Sequence, residues 1–281
     1  MQKADAAEIY MLKEKTYSTA KGTIHYWTGE MNPELLTLVF LPGLSADHRL
    51  FEKQTEYFEG KYNVLAWDAP EHALSRPFDP DFTLMDKAEW LHDILEQENV
   101  RNHVLIGQSM GGYVSQCFLQ KYPGEAAGFV SIDSAPLKKK YVTDMEIFLL
   151  KYTEPMYRAY PWEALKKTGT EGVAVTGYGR ELMASFIAQY ERDEYCRLAG
   201  HGFRMLAEAM EADLPYMIDC PAVLICGKED HAGSAKNYNI RWAREEHLPL
   251  CMLEHAGHNA NTDLPDTVNR IIEDFLKAYG I

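Results

Sequence analysis

Cysteine is scarce in this 281-residue chain, basic side chains are outnumbered, and no apolar stretch is long. The five cysteines, Cys117, Cys196, Cys220, Cys226 and Cys251, are odd in number and include no Cys-x-x-Cys pair, which argues against a disulfide framework. Cys117, Cys226 and Cys251 lie inside apolar runs, where a free thiol behaves as a small hydrophobe. Reduced, structural cysteines in a cytoplasmic protein are therefore expected. No His-Glu-x-x-His or other ligand spacing occurs, so no metal or cofactor is expected. Lys and Arg number 28 against 42 Asp and Glu, a formal net charge of −14. A surface of that sign repels phosphate backbones and anionic lipid, so neither nucleic acid nor a membrane is an expected partner. No run reaches the ~20 residues of a membrane-spanning helix. Residues 1–15 alternate charge with short apolar groups, unlike the unbroken core of a signal peptide.

What the chain does have is alternation. Strand-like runs at 23–28, 37–41, 62–67, 103–107, 128–133, 222–226 and 250–254 are separated by helical patterns at 47–60, 83–100, 109–122, 233–246 and 265–279. Thr83 is a candidate N-cap for the second of these helices. Repeated strand–helix units predict an α/β domain, a mostly parallel sheet with helices on both faces. From Pro136 to Tyr216 helical patterns continue without a clear strand, which predicts a helical insertion. The insertion is rich in aromatics and methionine: Met145, Phe148, Tyr152, Met156, Tyr157, Tyr160, Trp162, Tyr178, Met183, Phe186 and Tyr190. Singly these would pack the insertion onto the body; together they would wall a pocket. Lys138–Lys140 reads as a solvated turn.

The sharpest signal is Gly107-Gln108-Ser109-Met110-Gly111-Gly112, which follows a strand and opens a helix. A serine on that turn is pushed out over the carboxyl edge of the sheet, and the small residues two before and two after it keep the neighbouring backbone from clashing. The helix start favours negative charge, and the Met110 N–H would point at a developing oxyanion. A serine hydroxyl needs a base, and the base an orienting carboxylate. Two later strands supply both. One ends in Gly227-Lys228-Glu229-Asp230, and the next ends in His255-Ala256-Gly257-His258. Asp133 also ends a strand and is an alternative acid, while Glu229 reads as a solvated neighbour and His255 as a packing or surface residue. His48, His72 and His231 are candidates for an entrance, and Arg49 is a candidate for facing Ser109 if the substrate is acidic.

With these blocks in place, the chain resembles the α/β-hydrolase fold superfamily over nearly its whole length. The resemblance rests on Gly107–Gly112 as the nucleophile elbow, Gly227–Asp230 as the acid loop, and Ala256-Gly257-His258 before Leu264-Pro265 and a terminal helix. It implies Ser109 as nucleophile, His258 as base, Asp230 as acid, and the N–H groups of Leu44 and Met110 as oxyanion hole. It also implies a hydrolase body of residues 1–135 and 217–281, with 136–216 as a helical cap inserted after the sixth strand. Two departures stand out. Pro42-Gly43 replaces the frequent His-Gly of the oxyanion loop. In Asp68–Ser75 the two glycines of the family's Asp-x-x-Gly-x-Gly-x-Ser are Glu71 and Ala73, which brings that loop's conformation into question. The expected activity is hydrolysis of a small or medium, largely apolar carboxylic ester or related small-molecule acyl substrate through an acyl-enzyme. Carbon–carbon bond hydrolysis, a lyase step or lactone opening on the same site is the alternative, with a non-catalytic ligand receptor third.

Overall fold

A computed structural model describes residues 12–281. The reading of the leader falls largely on residues 1–11 and lies outside them. Eight strands form one sheet: β1 (Lys13–Ser18), β2 (Thr23–Thr28), β3 (Thr37–Leu41), β4 (Asn63–Trp67), β5 (His103–Gln108), β6 (Gly128–Ile132), β7 (Ala222–Gly227) and β8 (Leu250–Leu253). Their order across the sheet is β1-β2-β4-β3-β5-β6-β7-β8. The β1–β2 and β2–β4 pairs are antiparallel, and every other pair is parallel.

The five strands β3 to β7 are buried at every residue. That is the signature of a parallel sheet covered on both faces, and it explains why these strands read as continuous apolar runs. Side chains alternate between two cores. Val39, Leu41, Leu105, Phe129 and Leu224 join one cluster, and Leu38, Phe40, Ile106, Val130 and Ile225 join the other. The first face is covered by α2 (Leu84–Gln97), α3 (Met110–Lys121) and α9 (Ala235–Glu246), the second by α1 (Glu52–Phe58) and α11 (Pro265–Tyr279). Thr83 caps α2 through a reciprocal box with Asp86, as its position suggests.

β1 is the strand that pattern reading misses. Its sequence KEKTYS is charged and mostly exposed, and it pairs with β2 along its length at the edge of the sheet. An edge strand outside the core needs no apolar face, and its lysines discourage further pairing. Between β6 and β7 the chain builds α4 (Asp144–Lys151), α5 (Thr153–Ala159), α6 (Trp162–Glu171), α7 (Gly177–Ile187) and α8 (Arg192–Ala212), with no strand. The long α8 packs against α4 and α5, and α6 packs against α7. A short helix α10 (Ala260–Asp263) follows β8. No helix among the described residues is long and apolar enough to cross a membrane.

Candidate active site

The site is assembled by strand register. β3 and β5 are parallel neighbours with Leu41 opposite Gly107, so the chain leaves both strands at the same edge, side by side. After β5 it reverses at Ser109, whose φ of +49° and ψ of −116° lie outside the usual regions for an L-residue. The surrounding glycines have no room for a side chain. A Cβ on Gly111 would fall 1.9 Å from the Leu41 carbonyl oxygen, one on Gly107 would fall 2.5 Å from the Gly111 and Gly112 backbone, and one on Gly112 would fall 2.5 Å from Ser134. Ser109 N–H donates to Ile132 O at 2.9 Å, tying the reversal to β6. Gly43 lies over the turn, where an added Cβ would sit 3.1 Å from Ser109 Cβ. Leu44 and Met110 thus flank Ser109 in the cavity wall.

The histidine and the acid come from loops that are laced together. Lys228 N–H donates to Leu253 O at 2.8 Å and Glu229 N–H to Ala256 O at 2.9 Å. A Cβ on Gly227 would fall 2.2 Å from Gly257 O, so only glycine lets the two loops come this close. The result is an unbroken line: His258 Nε2 is 2.8 Å from Ser109 Oγ, and His258 Nδ1 is 3.1 Å from Asp230 Oδ2. Asp230 is buried, and its other oxygen accepts from Ala232 N–H at 2.8 Å. Burial opposes a charge on the His258 ring. The hydrogen bond and negative charge of Asp230, joined by Asp133, outweigh burial and hold the imidazole above its ordinary value.

Asp133 lies close by but is otherwise engaged. Its oxygens accept from Gly227 N–H at 2.7 Å and Ala260 N–H at 2.9 Å, bracing the acid loop against α10. Burial pushes its carboxyl up to about 8. Asp133, Cys226 and Asp230 form a buried group of ligand-type atoms. Burial holds the Cys226 thiol protonated, and backbone donors occupy both Asp133 oxygens, so this donor set does not suit a cation.

Gln108 is a residue of the site that sequence reading passes over. It is buried, and its amide donates to His258 O at 2.8 Å and to Asn259 Oδ1 at 3.1 Å. The residue before Ser109 therefore ties β5 to the loop that bears His258. Its position between Gly107 and Ser109 is the one available signal, and periodicity does not weight it.

Other candidates fall elsewhere. Arg49 does not face Ser109: it grips Asp47 at 2.6–3.2 Å and lies 5.1 Å over the Phe186 ring. His48 stacks on Trp27 and sits 2.8 Å from Asp68, and His72 is buried with Nδ1 3.0 Å from Pro70 O; neither lines the cavity, whereas His231 does. His255 is exposed, 3.6 Å from Glu229. Lys138, Lys139 and Lys140 each pair with a carboxylate. Glu71 and Ala73 keep positive φ, +74° and +41°, in place of the family's glycines. The loop holds because Glu71 binds His201 at 2.6 Å and Ser75 Oγ donates to Asp68 O at 2.8 Å.

Ser109 and His258 open on a cavity of about 810 Å³. Its walls are mainly apolar, with Leu150, Leu165, Phe203, Leu206 and Met210 from the helical segment and Met183 from α7. Of the aromatic and methionine side chains that the insertion supplies, Tyr157 and Met183 line it and Phe186 is buried in the core cluster on the second face of the sheet, whereas Met145, Phe148, Tyr152, Met156 and Tyr160 are half or more exposed and do not line it. The model of the alpha/beta hydrolase fold family matches residues 37–263. Among curated proteins, the chain is similar to (E)-2-((N-methylformamido)methylene)succinate hydrolase of Acinetobacter baylyi, 24% identical over 272 residues, covering 91% of this chain and 94% of that protein. It is also similar to 3-oxoadipate enol-lactonase 1 of the same organism, 24% identical over 253 residues, covering 86% and 88%. Among solved structures, a thermophilic esterase from Thermogutta terrifontis superposes with a TM-score of 0.74 at 19% identity, covering 96% of this chain and 99% of that one. The fold, the family match and the hydrolase relatives agree: this chain belongs to the alpha/beta hydrolase fold family.

Proposed function

We propose that the protein is a serine hydrolase that cleaves small or medium, largely apolar carboxylic esters or related acyl compounds. The observation that carries this reading is the Asp230–His258–Ser109 line, with spacings of 3.1 and 2.8 Å, at the wall of an apolar cavity. In this reading Ser109 Oγ attacks the carbonyl carbon while His258 Nε2 takes its proton. Asp230 accepts the Nδ1 hydrogen and stabilises the imidazolium. The carbonyl electron pair moves onto oxygen, and the N–H groups of Leu44 and Met110 receive that oxyanion, each contributing about 3 kcal/mol to lowering the barrier. The bond to the leaving group then breaks, and His258 returns the proton to the departing alcohol. Water repeats the sequence on the acyl-enzyme: His258 takes its proton, the acid is released, and Ser109 is restored. Residues 136–216 act as the cap, supplying the apolar walls over a body of 1–135 and 217–281.

Similarity to a protein named as an enol-lactonase keeps lactone opening as the second reading, since opening a lactone calls for the same attack on an acyl carbon. A p-nitrophenyl ester series distinguishes them. The wild type is expected to hydrolyse short and medium esters, and Ser109→Ala to lose turnover by about 10⁴-fold or more. Silence toward every ester, with a fluorophosphonate still labelling Ser109, would replace esterase with lactone or carbon–carbon chemistry. Absence of labelling would point to a ligand receptor.

A further inference from the structure

The cavity contains one charged side chain for which the Ser109 chemistry has no use. Glu146, on the first turn of α4, reaches the wall opposite residues of α9. Its Oε2 accepts from Thr143 N–H at 2.8 Å and Thr143 Oγ at 2.7 Å, and its Oε1 accepts from Ser234 Oγ at 3.3 Å and from the Tyr238 hydroxyl. Every one of these donors is neutral. They fill the carboxylate's lone pairs, and apart from the partial positive charge of the α4 N-terminus no ion pair among the described residues offsets its negative charge. Burial works against that charge, but the bonds from Tyr238 and Thr143 outweigh it and hold the carboxyl below its ordinary value.

No lysine or arginine among the described residues lines this cavity. The nearby Lys139 and Lys140 are spent on Asp144, Glu245 and Glu246. Only His231 and His258 in the wall could become cationic, and His258 is held by Asp230. An incoming carboxylate would therefore lose its water, gain no cation, and meet a like charge. The rings of Tyr113, Tyr157, Tyr195 and Phe203 line the same space, and an ammonium group is attracted to an aromatic face.

We propose that Glu146 makes this cavity selective for acyl substrates without negative charge, so that neutral and ammonium-bearing esters are turned over and carboxylate-bearing ones are refused. This rests on the ester reading above and names its substrate class. It separates the chain from the relatives whose names specify a succinate and an oxoadipate.

The test is a set of p-nitrophenyl esters of equal acyl length ending in methyl, carboxylate or trimethylammonium. Two like charges about 8 Å apart, at an effective dielectric near 20, imply a penalty of roughly 30-fold. The wild type is expected to show kcat/KM at least that much lower for the carboxylate ester than for the methyl ester, with the ammonium ester equal to or above the methyl one. Glu146→Gln is expected to raise the carboxylate-to-methyl ratio about tenfold. Tyr238→Phe removes one bond to Glu146 but keeps its charge, and is expected to leave the ratio low. Equal turnover of carboxylate and methyl esters by the wild type, or a ratio unmoved in Glu146→Gln, overturns the selection while leaving the ester reading intact. If no ester is hydrolysed the ester reading fails, and selection is then read from the rates at which methyl-ended and carboxylate-ended fluorophosphonates label Ser109. Equal rates overturn it.

Discussion

The carboxyl edge of the sheet and the helical segment above it are built to opposite standards. Around Ser109, backbone meets backbone with no space for a methyl group, and the loops bearing Asp230 and His258 are hydrogen-bonded to each other and braced through Asp133 against α10. In α4 and α5, by contrast, Met145 is 65% exposed and Phe148 51%, and the residues that line the cavity contribute side-chain bulk more than fixed hydrogen bonds. The proton transfers of the proposed reaction demand close positioning, and the edge is packed to supply it. The wall needs only a shape and a sign of charge. Substitutions at the edge should therefore cost turnover or folding outright, while those in the helical segment should shift preference or stability by small amounts.

The largest expected effect is at the acid. Asp230→Asn should lower kcat by about 10⁴-fold, by analogy with removal of the orienting carboxylate in a serine-protease triad. Asp133→Asn should cost far less activity and show mainly as lost stability, about 1–3 kcal/mol, because an amide presents an N–H to one of two buried N–H donors. The reverse order would move the acid to β6. The pH profile sharpens the same point. With the folded-state value of His258 raised by Asp230, the neutral base is lost as pH falls through a value above the ordinary ~6.5, so the acidic limb of kcat/KM should lie above that figure.

Next in size is a pair of glycines. Gly111→Ala places a methyl 1.9 Å from Leu41 O and should destabilise by about 3 kcal/mol or more, seen as a lower thermal midpoint or failure to fold. Gly177→Ala, at the start of α7 with nothing within 4 Å, should stabilise by about 0.5 kcal/mol. Equal effects at the two sites would erase the contrast between edge and wall. A modest effect on turnover is expected at a residue that touches neither Ser109 Oγ nor the His258 ring. Gln108→Ala frees the His258 carbonyl and Asn259, and should lower kcat about tenfold (~1.4 kcal/mol) with KM nearly unchanged. A loss confined to KM would assign Gln108 to binding in place of positioning.

Much of this was legible in the chain itself. The buried parallel strands announced themselves because both their faces are apolar, and Thr83 marked the start of α2. The Gly107–Gly112 turn was legible because only glycine fits where backbones touch. β1 was not, because an edge strand of Lys and Glu carries no apolar period. The loop of Glu71 and Ala73 misled in the other direction: glycine is the usual way to reach positive φ, but a side-chain bond from Glu71 to His201 and a hydroxyl bond from Ser75 sustain it as well. Arg49 was a reasonable candidate by position and failed because Asp47, two residues before it, captures the guanidinium.

Sequence alone determined the layered α/β architecture and which strand ends carry a serine, an acid and a histidine, because burial period and steric exclusion by glycine are local properties of the chain. Tertiary structure decided the rest. Of the two acids, Asp230 lies against the His258 ring and Asp133 accepts from backbone N–H groups, a placement set by how the loops pack. The grip of Gln108 on a loop 150 residues away, and the arrival of Glu146 in a cavity without lysine or arginine, exist only once distant segments share one edge of the sheet. Charge in the wall is a sum over segments far apart in the chain, and no local pattern encodes it.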